Sequence, residues 1–570
     1  MGPQPERPVC GKAEEKGEMG TGTPYRWPVC VAAVLAVLTA VGFRTQALFH
    51  ASLWGDEAFS VILAQAPASY LVTRPIVEHP HPPLYYAILK AAGGIFGLSE
   101  GTARGVSVVF GVATVLLMIV ASRVLGATWE GVLASWLLAW SYLSVHVSQL
   151  VRMYSLLGFL ALLALLLLAR ALADRRWQWW VWYGLCGVLL LYTHYLGGIV
   201  ILALVIGGGA CLLLDREKRS GGLAWLRLLV VHCAILLAFL PWAGRLLKHL
   251  GGLSSYMRIQ ELVRFGQQTP STPIWLASTA IRLVSLLSFG ERLPGRALGG
   301  LSIAIFLVLA LWGLVRLLRT HASLGVLLAS ATVVPALFLV ALSPRVPLQP
   351  PARYFALVLP GYLLVLASGM VGVAEAVGRR LGRWAGGCAV GILVLLCLGL
   401  TLPGLAKLYR GMPHADYRQV ARRVVENRDA GDALVCLRAK EYALLDWYAA
   451  EPLPEGWHAL GVDFPWASRE LAPGLTLAEY SSVVGRRDRF VHWADSVETV
   501  AIGSLEVLLE RSSQVWFLYA LSETRLARES HSIIDPLGMI LDWLEERYRR
   551  REIFSGDRFS LVLYEIHREE

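Results

Sequence analysis

Long apolar runs dominate this sequence and leave it few folds to choose from. A helix needs about 20 mostly apolar residues to cross the hydrocarbon core of a bilayer. Runs of this kind lie near 27–48, 103–125, 130–148, 153–173, 177–196, 198–214, 223–247, 297–319, 323–342, 354–376 and 385–406. In hydrocarbon each backbone N–H and C=O must be paired within the segment, so such runs fold as helices. They predict an all-α polytopic membrane domain of about eleven spans. Two further apolar stretches, 83–98 and 273–290, are short or flanked by proline and read as interfacial or re-entrant helices.

Composition agrees. Charged residues make up only 16% of the 570-residue chain, where soluble chains carry about 25%. The net charge is +10. Its Lys and Arg residues sit in short clusters between apolar runs, not on one basic module. No nucleic-acid-binding motif is present, and no nucleic-acid partner is expected. The clusters set an orientation instead. With the N-terminus in the cytoplasm, Arg123, then Arg170, Arg175 and Arg176, then Arg216, Lys218 and Arg219, then Arg316 and Arg319, then Arg379, Arg380 and Arg383 all fall inside. The basic segment 248–296 falls outside, where its length makes it weak evidence for this rule. Trp129, Trp177, Trp179, Trp180, Trp242 and Trp384 lie near span ends, as interfacial aromatics do. Of the 8 cysteines Cys10 lies in the polar N-terminal stretch and only Cys436 in the soluble tail, so no disulfide framework is expected there.

Three segments follow. Residues 1–24, rich in Pro, Gly and Glu, read as a disordered cytoplasmic N-terminus. Residues 25–408 form the membrane domain, whose first run reads as an uncleaved span. Residues 409–570 change composition abruptly. Strand-like stretches at 432–437, 514–519 and 559–564, a helix-like stretch at 416–427 and an amphipathic stretch at 531–549 predict a small α/β domain. The odd span count places that domain outside the cytoplasm.

The loop after the first span carries Leu53-Trp54-Gly55-Asp56-Glu57-Ala58-Phe59-Ser60, then Glu78-His79-Pro80-His81-Pro82-Pro83-Leu84-Tyr85-Tyr86. Polar groups at membrane depth are expensive and usually functional. A carboxylate there is suited to accept a hydroxyl proton, and burial would raise the Asp56 pKa above its reference of about 3.9. The same residues also make a good helix N-terminus, with Asp56 as cap and Glu57 in the first turn. Both readings are compatible. Pro82 and Pro83 suit the first turn of an interfacial helix over Leu84–Phe96.

The pattern Trp-Gly-Asp-Glu-Ala-Phe-Ser, followed by His-Pro-Pro-Leu-Tyr-Tyr, resembles the first outer loop of the family 39 and ArnT-like glycosyltransferases. These are bacterial relatives of dolichyl-phosphate-mannose protein mannosyltransferases with the GT-C fold. The likeness continues through Arg152-Met153-Tyr154, Leu240-Pro241-Trp242 and Ala352-Arg353-Tyr354, over roughly residues 27–405. It implies an inverting transferase that takes one sugar from a polyprenyl-phosphate monosaccharide to a lipid, glycan or protein acceptor. It also implies that Asp56 is the base and that Glu57 binds the acceptor or orients its neighbours. The loop has Asp-Glu where metal-dependent GT-C enzymes have Asp-x-Asp, so neither metal nor cofactor is expected.

The donor phosphate needs cationic partners, and the planar fork of arginine meets phosphate oxygens in pairs. Arg152 and Arg353 are the candidates, with Arg345 a third. Each also reads as a snorkelling anchor at a span end. Tyr154, His81, His194 and Tyr85 are expected to line the substrate, although Tyr154 and His194 equally suit an interfacial belt. Glu78, His79, His81 and His194 offer a zinc site as an alternative. The expected location is the plasma (inner) membrane, with active site and C-terminal domain extracytoplasmic. A polytopic transporter or lipid flippase is the rival reading, though the paired inverted halves common in transporters are not evident.

Overall fold

A computed structural model of the chain describes residues 26–46, 48–49, 52–65, 68, 70–73, 81–124, 128–174, 176–214, 222–263, 272–290, 296–342, 352–410 and 416–427. In the C-terminal segment it also describes 433–436, 444–445, 447–448, 458–459, 514–520, 545–555 and 559–565. The expected disordered stretch 1–24, together with Glu78, His79 and Arg345, lies outside the described residues.

The apolar runs fold as helices. In chain order these are α1 (Arg26–Thr45), α2 (Gly55–Gln65), α3 (Tyr70–Thr73), α4 (Leu84–Phe96), α5 (Glu100–Val124), α6 (Thr128–Trp140), α7 (Tyr142–Ser148), α8 (Tyr154–Ala173) and α9 (Trp177–Thr193). Then come α10 (Gly197–Leu214), α11 (Gly222–Val263), α12 (Thr272–Ser288), α13 (Arg296–Thr320) and α14 (Ala322–Leu342). A 3-10 turn (Ala352–Leu357), α15 (Leu359–Leu381), α16 (Arg383–Tyr409) and α17 (Tyr417–Asn427) complete the set. Among the described residues, 9 helices are long and apolar enough to cross a membrane: α1, α5, α8, α10, α11, α13, α14, α15 and α16.

Two of the eleven expected spans fall short of that length. The run 177–196 is α9, which has 17 residues. The run 130–148 is broken at Ser141, where α6 ends and α7 begins. The cause is a buried arginine. The last carbonyls of a helix have no partner within it, and Arg44 of α1 donates to those of Leu138 (3.1 Å) and Ala139 (2.9 Å). It also donates to Ser144 Oγ (2.7 Å) and Ser148 Oγ (3.2 Å) of α7. A buried charge with this many acceptors is compensated without a counter-ion. The segment 248–296, expected as a loop, is partly helical: α11 continues through Pro241 to Val263, and α12 follows. Helix α4 stands where the proline pair predicted it.

Helix–helix contacts in lipid rest on small residues that let backbones approach. Gly313 of α13 and Gly369 of α15 do this: a Cβ on Gly313 would overlap the Val365 carbonyl, and one on Gly369 the Leu309 carbonyl. Near the C-terminal ends of these two helices, Arg316 of α13 bonds Glu375 of α15 (2.7 Å) and Glu130 of α6 (2.5 Å).

The C-terminal segment carries β1 (Ala433–Cys436), β2 (His458–Ala459), β3 (Gln514–Ala520), β4 (Arg549–Ser555) and β5 (Phe559–Glu565). They form one sheet in the order β2-β1-β3-β5-β4. Strand β1 runs parallel to β2 and β3, and β5 runs antiparallel to β3 and β4. The three expected strands are thus present. The helix expected over 531–549 does not reach its predicted end, because Arg549 and Arg550 pair with Glu565 and Tyr564 of β5. Ladder pairing outweighs the local helical pattern there.

Candidate active site

One end of the helical bundle gathers most of the motif residues. The short extended segment Ser52–Trp54 leads into α2, whose first turn closes when the Glu57 and Ala58 N–H groups donate to the Trp54 carbonyl (2.8 and 2.9 Å). This places Asp56 and Glu57 in the first turn, as the capping pattern suggests. The two carboxylates then part company.

Glu57 is fully buried. Arg104 of α5 donates to both its oxygens, Nε to Oε1 (3.3 Å) and a terminal nitrogen to Oε2 (3.1 Å). The Val151 N–H donates to Oε1 (2.9 Å) and the Trp54 N–H to Oε2 (3.4 Å). Glu57 therefore ties together α2, α5 and the α7–α8 junction. Its environment fits an orienting group and leaves little of it for a substrate.

Asp56 is not buried as expected: its side chain is 33% exposed, and it pairs with Arg353 of the 3-10 turn at 2.8 Å. The Arg353 guanidinium lies over the rings of Trp54 (5.6 Å) and Tyr154 (5.6 Å). Arg152 sits on the other side of the same turn. It donates to the Asp56 carbonyl (3.2 Å) and lies near the Phe59 ring (5.9 Å). Among the described residues no carboxylate side chain forms a salt bridge with it. Burial would lower its pKa, but the Tyr86 and Tyr154 hydroxyls and Asp56 outweigh that and push it up, so Arg152 stays charged. The Nε–H groups of Arg152 and Arg353 are both buried without an acceptor among the described residues. Charged donors of this kind suit an anionic partner.

Aromatic rings flank this cluster. Tyr154 packs against Tyr354 (5.9 Å) and His194 (5.8 Å), and His194 against Tyr354 (5.9 Å) and His81 (4.9 Å). The Leu196 N–H donates to His194 Nδ1 (3.0 Å), so the neutral ring carries its proton on Nε2. Burial raises the pKa of Tyr86 and Tyr354 and keeps both phenols as donors. Tyr85 behaves differently from its expected role: its ring is fully buried and its hydroxyl is engaged by Ser107 (2.9 Å) behind the site. Both tyrosines feel the charge of Arg152, but Tyr86 is the one that also feels Asp56, whereas Tyr85 feels Glu57.

Asp56, Arg152, Arg353, Tyr154, His81 and His194 are thus brought together. Arg104, Tyr86, Tyr354 and the ring of Trp54 were not foreseen. The Glu100-Gly-Thr-Ala-Arg104 spacing, an i,i+4 ion pair at a helix start, was a usable signal for Arg104. Of the four residues of the zinc alternative only His81 and His194 are described, and no group of three metal-ligating side chains occurs among the described residues.

A family model described as dolichyl-phosphate-mannose-protein mannosyltransferase matches residues 80–242. None of the curated proteins matches the chain in sequence. Among solved structures, ArnT from Cupriavidus metallidurans in the apo state superposes with a TM-score of 0.55 at 15% identity, covering 94% of this chain and 98% of that one. The same protein bound to undecaprenyl phosphate gives 0.54 at 15% identity, over 95% and 98%. The archaeal oligosaccharyltransferase AglB from Archaeoglobus fulgidus, in complex with an inhibitory peptide and a dolichol-phosphate, gives 0.51 at 15% identity, over 96% and 75%. The helical architecture and these likenesses agree: the chain is a multi-pass membrane protein with the GT-C glycosyltransferase fold, similar to ArnT and to the protein mannosyltransferases.

Proposed function

We propose that the protein transfers a sugar from a polyprenyl-phosphate monosaccharide to an acceptor hydroxyl, at the outer face of the plasma membrane, with inversion at the anomeric carbon. The observation that carries this reading is one carboxylate, Asp56, flanked by two guanidinium groups that each keep a buried N–H in reserve. Such a pocket fits a phosphate next to a base. The relatives solved with undecaprenyl phosphate and dolichol-phosphate support a lipid phosphate as the anion.

The reaction is a direct displacement. The acceptor oxygen bonds to the anomeric carbon, the bond from that carbon to the phosphate oxygen breaks, and Asp56 takes the acceptor proton. Arg152 and Arg353 hold the polyprenyl phosphate as negative charge develops on the leaving oxygen. Arg353 pairs with Asp56 at 2.8 Å. An incoming phosphate competes for that guanidinium and frees the carboxylate to act as a base. Glu57 positions the turn. Tyr154, Tyr354, His81 and His194 present ring faces and donors to the sugar. The GT-C likeness favours this reaction over a transporter or flippase, and breakage of a glycosidic bond separates the two. Purified protein incubated with a panel of polyprenyl-phosphate sugars releases free polyprenyl phosphate if the reading holds. Movement of intact lipid across vesicles without release supports the transporter instead.

A further inference from the structure

Two residues of the C-terminal segment converge on a single carboxylate, Glu100. Arg418 of α17 grips Glu100 in a fork, Nε to Oε1 at 3.1 Å and a terminal nitrogen to Oε2 at 2.8 Å. The Tyr448 hydroxyl donates to Glu100 Oε1, and the Arg418 guanidinium lies over the Tyr448 ring at 5.7 Å. Glu100 lies 3.8 Å from Arg104 of the same helix, and Arg104 clamps Glu57. Arg104 also donates to the carbonyls of Leu48 (2.5 Å) and Ser52 (3.2 Å).

The same segment bonds directly to the backbone that carries Asp56. The Leu53 N–H donates to the Tyr448 hydroxyl (2.7 Å), and the Tyr417 N–H donates to Ser52 Oγ (3.1 Å). Ser52 and Leu53 immediately precede the turn holding Asp56, so their placement fixes where that carboxylate meets Arg353. The Tyr448 hydroxyl bonds both to the Asp56 loop and to Glu100 of the Glu100–Arg104–Glu57 chain. These bonds span 318 to 395 residues of sequence. A solvated appendage has no need of a part-buried ion pair and a shared hydroxyl at this spot.

From these contacts we infer that Tyr448 and Arg418 are positioning residues of the active site, and that the C-terminal segment is part of its scaffold. The inference rests on the reading of the Asp56–Arg353 pocket as the reaction site. Tyr448→Phe removes the hydroxyl and leaves the ring beside Arg418, with the Arg418–Glu100 and Tyr417–Ser52 bonds keeping the segment docked. Val424→Ala, at a buried apolar position of α17 whose side chain makes none of these polar bonds, serves as the control for a general effect of substitution in the segment.

The test uses the full chain in detergent, labelled with 5-fluorotryptophan. Trp54 lies against Arg353, and its fluorine resonance is assigned by its loss in Trp54→Phe. Tyr448→Phe should shift the Trp54 resonance, and Val424→Ala should leave it in place. With a polyprenyl-phosphate sugar that the release assay identifies, Tyr448→Phe should lower kcat on the order of tenfold and leave KM for the donor unchanged, as a small misplacement of a reacting group does. An unmoved Trp54 resonance in Tyr448→Phe overturns the inference, and so does an equal shift in Val424→Ala. Because the resonance needs no turnover, failure of the glycosyltransferase reading and failure of the positioning role are seen separately.

Discussion

Adjacent Asp56 and Glu57 should respond to charge removal in opposite ways. Glu57→Gln breaks a buried ion pair whose members are 1% and 5% exposed. Removing one partner of such a pair costs about 3–5 kcal/mol. Glu100, 3.8 Å from Arg104, offsets part of that. The substituted amide also keeps an acceptor for the Val151 N–H, so the expected loss is about 2–4 kcal/mol. Asp56→Asn removes a pair that is 33% and 21% exposed, and a pair that open contributes about 0–1 kcal/mol. At about 2 °C per kcal/mol for a large chain, Glu57→Gln should melt roughly 4–8 °C below the parent, and Asp56→Asn within about 2 °C of it. A thiol-reactive fluorogenic dye suits the assay, because Cys186, Cys211 and Cys397 are buried and react on unfolding. Release of polyprenyl phosphate is then measured on the folded fraction of each variant: Asp56→Asn should lose turnover, and Glu57→Gln should retain a reduced rate. Equal melting temperatures for the two variants, or full turnover in Asp56→Asn, would refute the division of labour between them.

Other outcomes follow from the same contacts. Arg353→Lys keeps a charge but loses the planar fork, and should weaken binding of undecaprenyl phosphate about tenfold by titration. Gly313→Ala drives a methyl group into the Val365 carbonyl and should cost about 1–3 kcal/mol or more, read as a lower melting temperature. Burial raises the phenol pKa of Tyr85, Tyr86, Tyr354 and Tyr448 in the folded protein. The native state thus holds those protons more tightly than the unfolded chain. Their contribution is fully present below the unfolded value of about 10 and is lost as pH rises above it. Melting temperatures should fall above about pH 10 because of these residues, and Tyr448→Phe should reduce the steepness of that fall.

Helices were legible where apolar length alone decides, as in α8, α10 and α15. The break at Ser141 was not, because it depends on Arg44, which approaches from a helix far away in sequence. Asp56 and Arg353 stood out because each is a charge beside an apolar run, and the fold brings them to 2.8 Å. Glu57 looked interchangeable with Asp56 in sequence. Its partners Arg104 and Val151 come from other elements, and only their arrival separates a buried clamp from an accessible acid. Tyr85 and Tyr86 pose the same problem: adjacent helical residues point about 100° apart, and only packing against Ser107 shows which one turns away from the pocket. The C-terminal contacts at Glu100 had no local signature, since nothing near Arg418 or Tyr448 in sequence points to α5.

The decisive measurement is the release of free polyprenyl phosphate when purified protein and its Asp56→Asn variant meet a panel of polyprenyl-phosphate sugars, with undecaprenyl phosphate binding followed in parallel. The parent should cleave at least one donor, and Asp56→Asn should bind the lipid phosphate yet release nothing. Cleavage by Asp56→Asn at the parental rate, or loss of lipid binding together with turnover, would contradict a pocket in which Asp56 is the base and the arginines hold the phosphate.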